Sequence, residues 1–137
     1  MRSLTRKAAT VGATLALAMS GAVLAAAPAS AATSCYASSC TGLDPATTTC
    51  ANDAVTVSTD GNLELRYSPS CRAAWARDKN AVYGESVSVR NHQGDSWDYS
   101  TVTYVGGSIW SAMVNDKDIQ SQAGSSGTNG HFQTGWY

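Results

Sequence analysis

Ala54-Val-Thr-Val-Ser-Thr-Asp60-Gly61-Asn62-Leu63-Glu-Leu-Arg-Tyr67 decides the fold class. Leu63, Leu65 and Tyr67 alternate with Glu64 and Arg66, a period of two that belongs to a strand with one face inward. The Asp60-Gly61-Asn62 turn signal joins that strand to the shorter Ala54–Ser58 run, so the two read as a hairpin. Leu63, Leu65 and Tyr67 are expected to point inward, with Glu64 and Arg66 outward.

The pattern repeats downstream. Ser86-Val-Ser-Val-Arg90 alternates, Asn91–Asp95 is a turn, and Trp97–Tyr104 is aromatic or β-branched at most positions. Gly106-Gly107 predicts a tight turn and Ser108–Val114 the strand returning from it, with a polar turn over Asn115–Asp118. Ser121–Gly130 is rich in Gly and Ser and reads as a mobile segment. His131–Tyr137 reads as a last strand. Cys71–Arg77 is expected to form one or two helical turns, capped by Ser70. Several short strands without a long amphipathic helix predict a small all-β barrel or sandwich with one short helical turn.

The chain has 137 residues, Lys+Arg 9 against Asp+Glu 10, and a formal charge of -1, enough for one domain. Arg2, Arg6 and Lys7, the Ala/Leu/Val run that follows, the break at Pro28 and the triplet Ala29-Ser30-Ala31 have the order of a secretory leader. Residues 1–31 are therefore expected to be a signal peptide and 32–137 a single extracellular domain. A membrane anchor is disfavoured, because the run is Ala-rich and no charged stop-transfer segment follows it. No stable membrane insertion is expected after cleavage. The domain then carries six basic and ten acidic residues. That balance excludes a basic nucleic-acid binder.

Cys35, Cys40, Cys50 and Cys71 all lie early in the presumed mature chain. An even count in a secreted chain reads as two disulfides. Their spacings lack the short Cys-x-x-Cys hooks of a zinc site. Of three possible connectivities, those that carry Cys35 or Cys40 to Cys71 are favoured, tying the N-terminal loop to the hairpin. Large aliphatic residues are few, so the aromatics (four Trp, six Tyr, one Phe) are expected to fill much of the core.

The segments Cys35-x4-Cys40-x-Gly42-x-Asp44-Pro45-x4-Cys50, Asp53-Ala-Val-Thr56, Glu64-Leu-Arg-Tyr-Ser-Pro-Ser-Cys-Arg-Ala-Ala-Trp75-Ala-Arg77 and Gly135-Trp-Tyr137 resemble the YjfA-type family of secreted bacterial domains. The resemblance spans nearly the whole presumed mature chain. It implies a domain of unknown function with no assigned catalytic residues. Related domains fused to cytoplasmic helix-turn-helix regulators imply an extracellular sensing or binding part. The Ala-rich leader resembles those of filamentous actinobacteria.

Arg66, Arg72 and Arg77 gather around Trp75 and Tyr67 in an otherwise acidic chain. Arg beside an aromatic face can hold a carboxylate, so Arg66, Arg72, Trp75 and Arg77 are the candidate ligand-binding residues. The structural alternative is that Arg66 and Arg72 pair with Asp53 and Glu64. Trp97, Tyr99, Trp110 and Trp136 could form a sugar-stacking platform, although filling the core is the stronger expectation. His92 with Asp95 or Asp98 is a thin basis for a hydrolase, since no Gly-x-Ser-x-Gly or His-Glu-x-x-His pattern is present. Carboxylate pairs such as Glu64 with Glu85 are weaker still, and Asp116-Lys-Asp118 lacks the order of a calcium loop. No cofactor, metal or catalytic residue is expected. The expected role is a secreted, non-catalytic binding module for a cell-wall polymer or another secreted protein. A small wall hydrolase and an inhibitor or effector presenting the Ser38–Thr49 loop are the competing readings.

Overall fold

The computed structural model describes residues 31–100, 106–128 and 130–137, with the side chains of 97–100 excepted. The presumed leader and the end of the Trp97–Tyr104 segment therefore lie outside the described residues, apart from Ala31. Among the described residues, nine strands form two sheets: β1 Val55–Asp60, β2 Leu63–Ser68, β3 Ala73–Ala81, β4 Ser86–Asn91, β5 Ser96–Ser100, β6 Gly107–Trp110, β7 Val114–Asn115, β8 Ser121–Gly127 and β9 Gly130–Gln133. The first sheet runs β1-β2-β3-β6, with β7 also on β3, and the second runs β5-β4-β8-β9. Neither closes on itself, so of the two expected architectures the molecule adopts the sandwich.

The β1–β2 hairpin forms as its sequence requires. Asp60 pairs with Leu63 across Gly61-Asn62, and Gly61 takes φ 60°, a backbone conformation that costs an L side chain energy. Leu63 and Leu65 point to the second sheet. There they meet Ala74, Ala76, Ala81, Val87, Val89, Ile109, Val114 and Ala123, with Val57 and Phe132 at the margin. This core is small and aliphatic. Trp75 is buried, but Trp110, Trp136, Tyr36, Tyr83 and Tyr137 are exposed, so among the described side chains the expectation of an aromatic core is corrected. Ala74, Ala76 and Ala81 on β3 and Ala123 on β8 contribute small side chains to this core.

Three further expectations are overturned. Ala73–Arg77 is strand, and the helical content among the described residues is three 3-10 turns at Ala37–Cys40, Pro45–Thr47 and Thr49–Asp53. Alanine favours helix, but pairing with β2 on one side and with β6 and β7 on the other outweighs that preference. Ser121–Gly127 is a central strand, and its small residues suit a crowded place: Ser121, Ala123 and Ser125 are buried, and a Cβ at Gly124 would stand 3.0 Å from Ser88 Oγ. The segment after Gly106 does not return along β5. β6 pairs with β3 in the other sheet, and the expected single strand breaks into β6 and β7.

The disulfides are Cys35–Cys40 and Cys50–Cys71, which corrects the favoured pairing of Cys71 with Cys35 or Cys40. Cys71 does tie the N-terminal segment to β2, but through Cys50. The two bridges are stacked, with Cys35 Sγ 3.4 Å from Cys50 Sγ. All four sulfurs lie within 4.8 Å of one another. Oxidised sulfurs offer no thiolate to a metal. Around them Ala73, Trp75 and Met113 make a second apolar cluster, edged by Leu43 and Ala54. The N-terminal segment is thereby fastened over the outer face of the first sheet, making a third layer.

On β2, facing outward does not mean being exposed. Glu64 and Arg66 do face away from Leu63 and Leu65, but Glu64 is only 6% exposed. Free cysteines are absent and two disulfides are present, as expected of an oxidising compartment. Among the described residues, no helix is long and apolar enough to cross a membrane.

Candidate functional site

Residues of the outer face of the first sheet come together by register. Arg66 on β2 stands opposite Trp75 on β3, Glu64 stands opposite Arg77, and Arg77 in turn stands opposite Trp110 on β6. Cross-strand neighbours lie about 5 Å apart at Cβ, within contact reach for long side chains. Three of the four candidate ligand-binding residues therefore share one place. Arg66, Trp75 and Arg77 line a cleft of about 220 Å³, with Pro45, Ala46 and Ala51 of the N-terminal layer and Ser108 and Trp110 of β6.

The cations differ in how they are held. Arg77 donates to Glu64 Oε2 through Nε at 2.8 Å and also through Nη2, while Lys79 Nζ lies 3.3 Å from Glu64 Oε1. Burial works to raise the Glu64 carboxyl, but these bonds and charges outweigh it and hold the group below the usual 4.5. Arg66 has a different position. Its Nη1 donates to Thr56 Oγ1 at 2.7 Å and its Nη2 to the Ala54 carbonyl at 2.9 Å. No carboxylate among the described residues lies within 4.0 Å of it. Burial lowers its pKa first and the Arg77 charge second, with Glu64 acting the other way. A guanidinium has five N–H groups, so donors remain for a ligand. The expected Arg66–Asp53 pairing does not occur: Asp53 accepts from the Ser68 hydroxyl and from Ser70 N–H instead.

Arg72 stands apart from the other three. It ends the Pro69–Arg72 turn with φ 50° and pairs with Asp118, which has φ 60°. That pair edges a separate cleft of about 280 Å³ with Tyr67, Asp116, Ile119, Gln120 and Tyr137. Asp116 is 5% exposed there. Its carboxyl is raised from 3.8 to about 6, by burial above all, against the Ser121 hydroxyl bond and the Arg72 charge.

Trp110 was legible in the sequence only as one of several tryptophans. In the structure its indole Nε1 donates to Asp44 Oδ1 at 2.9 Å. Asp44 is itself fixed, because the same oxygen accepts from Ala46 N–H at the start of the Pro45–Thr47 turn. Pro45 after an acidic cap residue is the sequence signal that could have located this bracket. Trp136 belongs elsewhere, 4.0 Å from the His92 ring by centroid and 5.3 Å from the Arg90 guanidinium carbon. The tryptophans thus do not form one platform, and the side chains of Trp97 and Tyr99 lie outside the described residues.

The groups weighed for hydrolysis are engaged otherwise. His92 stacks on Trp136, and Asp95 accepts from Asn91 Nδ2 at 3.0 Å. Glu85 is buried, takes the Val82 N–H at 2.9 Å, and sits near Asp78 rather than near Glu64. The Asp98 side chain lies outside the described residues. Of the Ser38–Thr49 loop, Cys40, Pro45 and Thr48 are buried, while Ser38, Asp44, Ala46 and Thr47 are exposed.

A family model described as DUF2690, protein of unknown function, matches residues 38–124, and the chain belongs to that family. The matched span includes every residue of the Arg66–Trp75–Arg77–Trp110 cleft. No curated protein and no solved structure matches the chain.

Proposed function

We propose that this member of the DUF2690 family is a secreted, non-catalytic binding module whose ligand presents a carboxylate to Arg66 and Arg77. The observation that carries the reading is Arg66, a cation with spare donors and no acid partner among the described residues, set in a cleft walled by Trp75 and Trp110. A guanidinium hydrogen-bonded by neutral groups keeps its positive charge for an incoming anion, and the flanking indoles displace part of the water that would screen it. Arg77 adds a second positive charge, tempered by Glu64. The leader-like first 31 residues and the two disulfides support release into an oxidising exterior. The Leu65–Trp75 segment supports assignment to the YjfA-type branch. A polymer of the bacterial wall is the carboxylate source nearest to a secreted protein.

The test is co-sedimentation of the oxidised protein with purified wall, at low salt and at 1 M salt, where screening extends over only about 3 Å. Binding that falls with salt, and falls about tenfold on Arg66→Gln, is expected. One charge-assisted bond is worth about 1.5–3 kcal/mol, or roughly ten- to a hundredfold. Failure to bind at low salt, or release of soluble wall fragments by the protein, overturns the reading.

A further inference from the structure

Trp110 stands between two clefts. On one side is the cationic cleft of about 220 Å³ with Arg66 and Arg77. On the other is a cleft of about 350 Å³ lined by Gly42, Asp44, Ile109, Ser111 and Ala112. Both include Trp110 and Ser108, so a chain-like ligand could occupy the two at once. The indole is 37% exposed, and its bond to Asp44 holds it in place before any ligand arrives. A ring fixed in advance loses little rotamer freedom on binding.

The two clefts differ in charge. The first offers Arg66, free of any carboxylate partner among the described residues, and Arg77 opposite Trp110. The second has no Lys or Arg in its lining and one acidic residue, Asp44. A uniform polyanion would satisfy the first and be repelled by the second. A neutral polymer would satisfy the second and leave the cations unused. A ring face flanked by hydroxyl-bearing and carboxylate-bearing side chains suits a pyranose, whose C–H face stacks on the indole while its hydroxyls meet Asp44 and Ser108.

We propose that the ligand is a glycan in which a carboxylated sugar alternates with an uncharged one. The acidic unit lies at Arg66 and Arg77, the uncharged unit lies beside Asp44, and the chain passes over Trp110. This rests on the carboxylate reading of the cleft and adds the identity of the carboxylate's carrier.

Affinity electrophoresis of the oxidised full chain tests it, in gels containing hyaluronan (alternating glucuronate and N-acetylglucosamine), polyglutamate or glycol chitin. Hyaluronan is expected to retard the protein at least tenfold more strongly, by apparent dissociation constant, than either other polymer. Trp110→Ala is expected to remove that preference while leaving the weak, salt-sensitive retardation by polyglutamate. Ala112→Phe, which adds bulk to the larger cleft and leaves Trp110 and the arginines unsubstituted, is expected to do the same, so the outcome does not depend on one variant's folding. Equal retardation by polyglutamate and hyaluronan, unaffected by Trp110→Ala or Ala112→Phe, overturns the glycan while preserving the carboxylate site. Retardation by neither anionic polymer overturns both.

Discussion

Replacing Asp116 with Asn should change how stability depends on pH. Asp116 is nearly enclosed at the start of the turn after β7. Its Oδ1 accepts from the Ser121 hydroxyl at 2.6 Å, and its N–H donates to the Arg72 carbonyl at 3.0 Å. Arg72 is the charged group that favours its ionised form, and Tyr67 shares the same cleft. Burial dominates, so the carboxyl in the folded protein rises from the ordinary 3.8 to about 6. The folded state binds this proton more tightly than the unfolded chain does. The stability linked to it is present in full below about pH 4 and is lost as pH rises through about 6. At 1.36 kcal/mol for each pH unit between 3.8 and about 6, the loss is about 3 kcal/mol.

Asp53 and Glu64 have the opposite dependence. In both, hydrogen bonds outweigh the upward push of burial, so their stabilisation is lost as pH falls. Comparing wild type with Asp116→Asn at each pH cancels those groups. Urea unfolding from pH 4 to pH 7.5 should show the variant gaining about 3 kcal/mol on wild type across that span, a relative midpoint shift of about 1–3 M. A difference that stays flat, or that changes in the opposite direction, would refute the reasoning that burial governs Asp116.

The two disulfides should contribute unequally, because Cys50–Cys71 spans 21 residues and Cys35–Cys40 spans 5. On loop-closure entropy, the Cys50→Ala/Cys71→Ala pair should cost about 3 kcal/mol and the Cys35→Ala/Cys40→Ala pair about 2. Chemical unfolding checks the order, and a larger loss from the short loop would contradict it. Leu65→Ala, at a fully buried position between the sheets, should cost about 2–5 kcal/mol by the same measurement. A loss under 1 kcal/mol would mean that the sheets close over the gap. Gly61→Ala should cost about 1 kcal/mol, because the turn holds φ 60°, and a neutral result would show that the hairpin turn had changed type.

Sequence order by itself determined the all-β class, the β1–β2 hairpin with its inward Leu63 and Leu65, and the presence of two disulfides. It also brought Arg66, Trp75 and Arg77 forward as candidates. These follow from local rules: period-two alternation, a Gly-containing turn and an even cysteine count act over a few residues and leave a readable mark. Other features lay beyond such rules. Ala73–Arg77 and Ser121–Gly127 carry weak or contrary propensities, and they became strands because each is hydrogen-bonded on one side by the adjacent strand and on the other by strands distant in the chain, β6 and β7 for the first and β4 for the second. The pairing of Cys50 with Cys71, the burial of Glu64 against Arg77 and Lys79 and the separation of Arg72 from the other arginines are likewise non-local. So is the placement of Trp110 against Asp44, 66 positions away in the chain, which makes two clefts out of one face. Strand register sets which side chains face one another, and the third layer sets which of them meet water. Both are fixed only when the whole chain packs, since loop closure over such distances is repaid by contacts that no short segment can make.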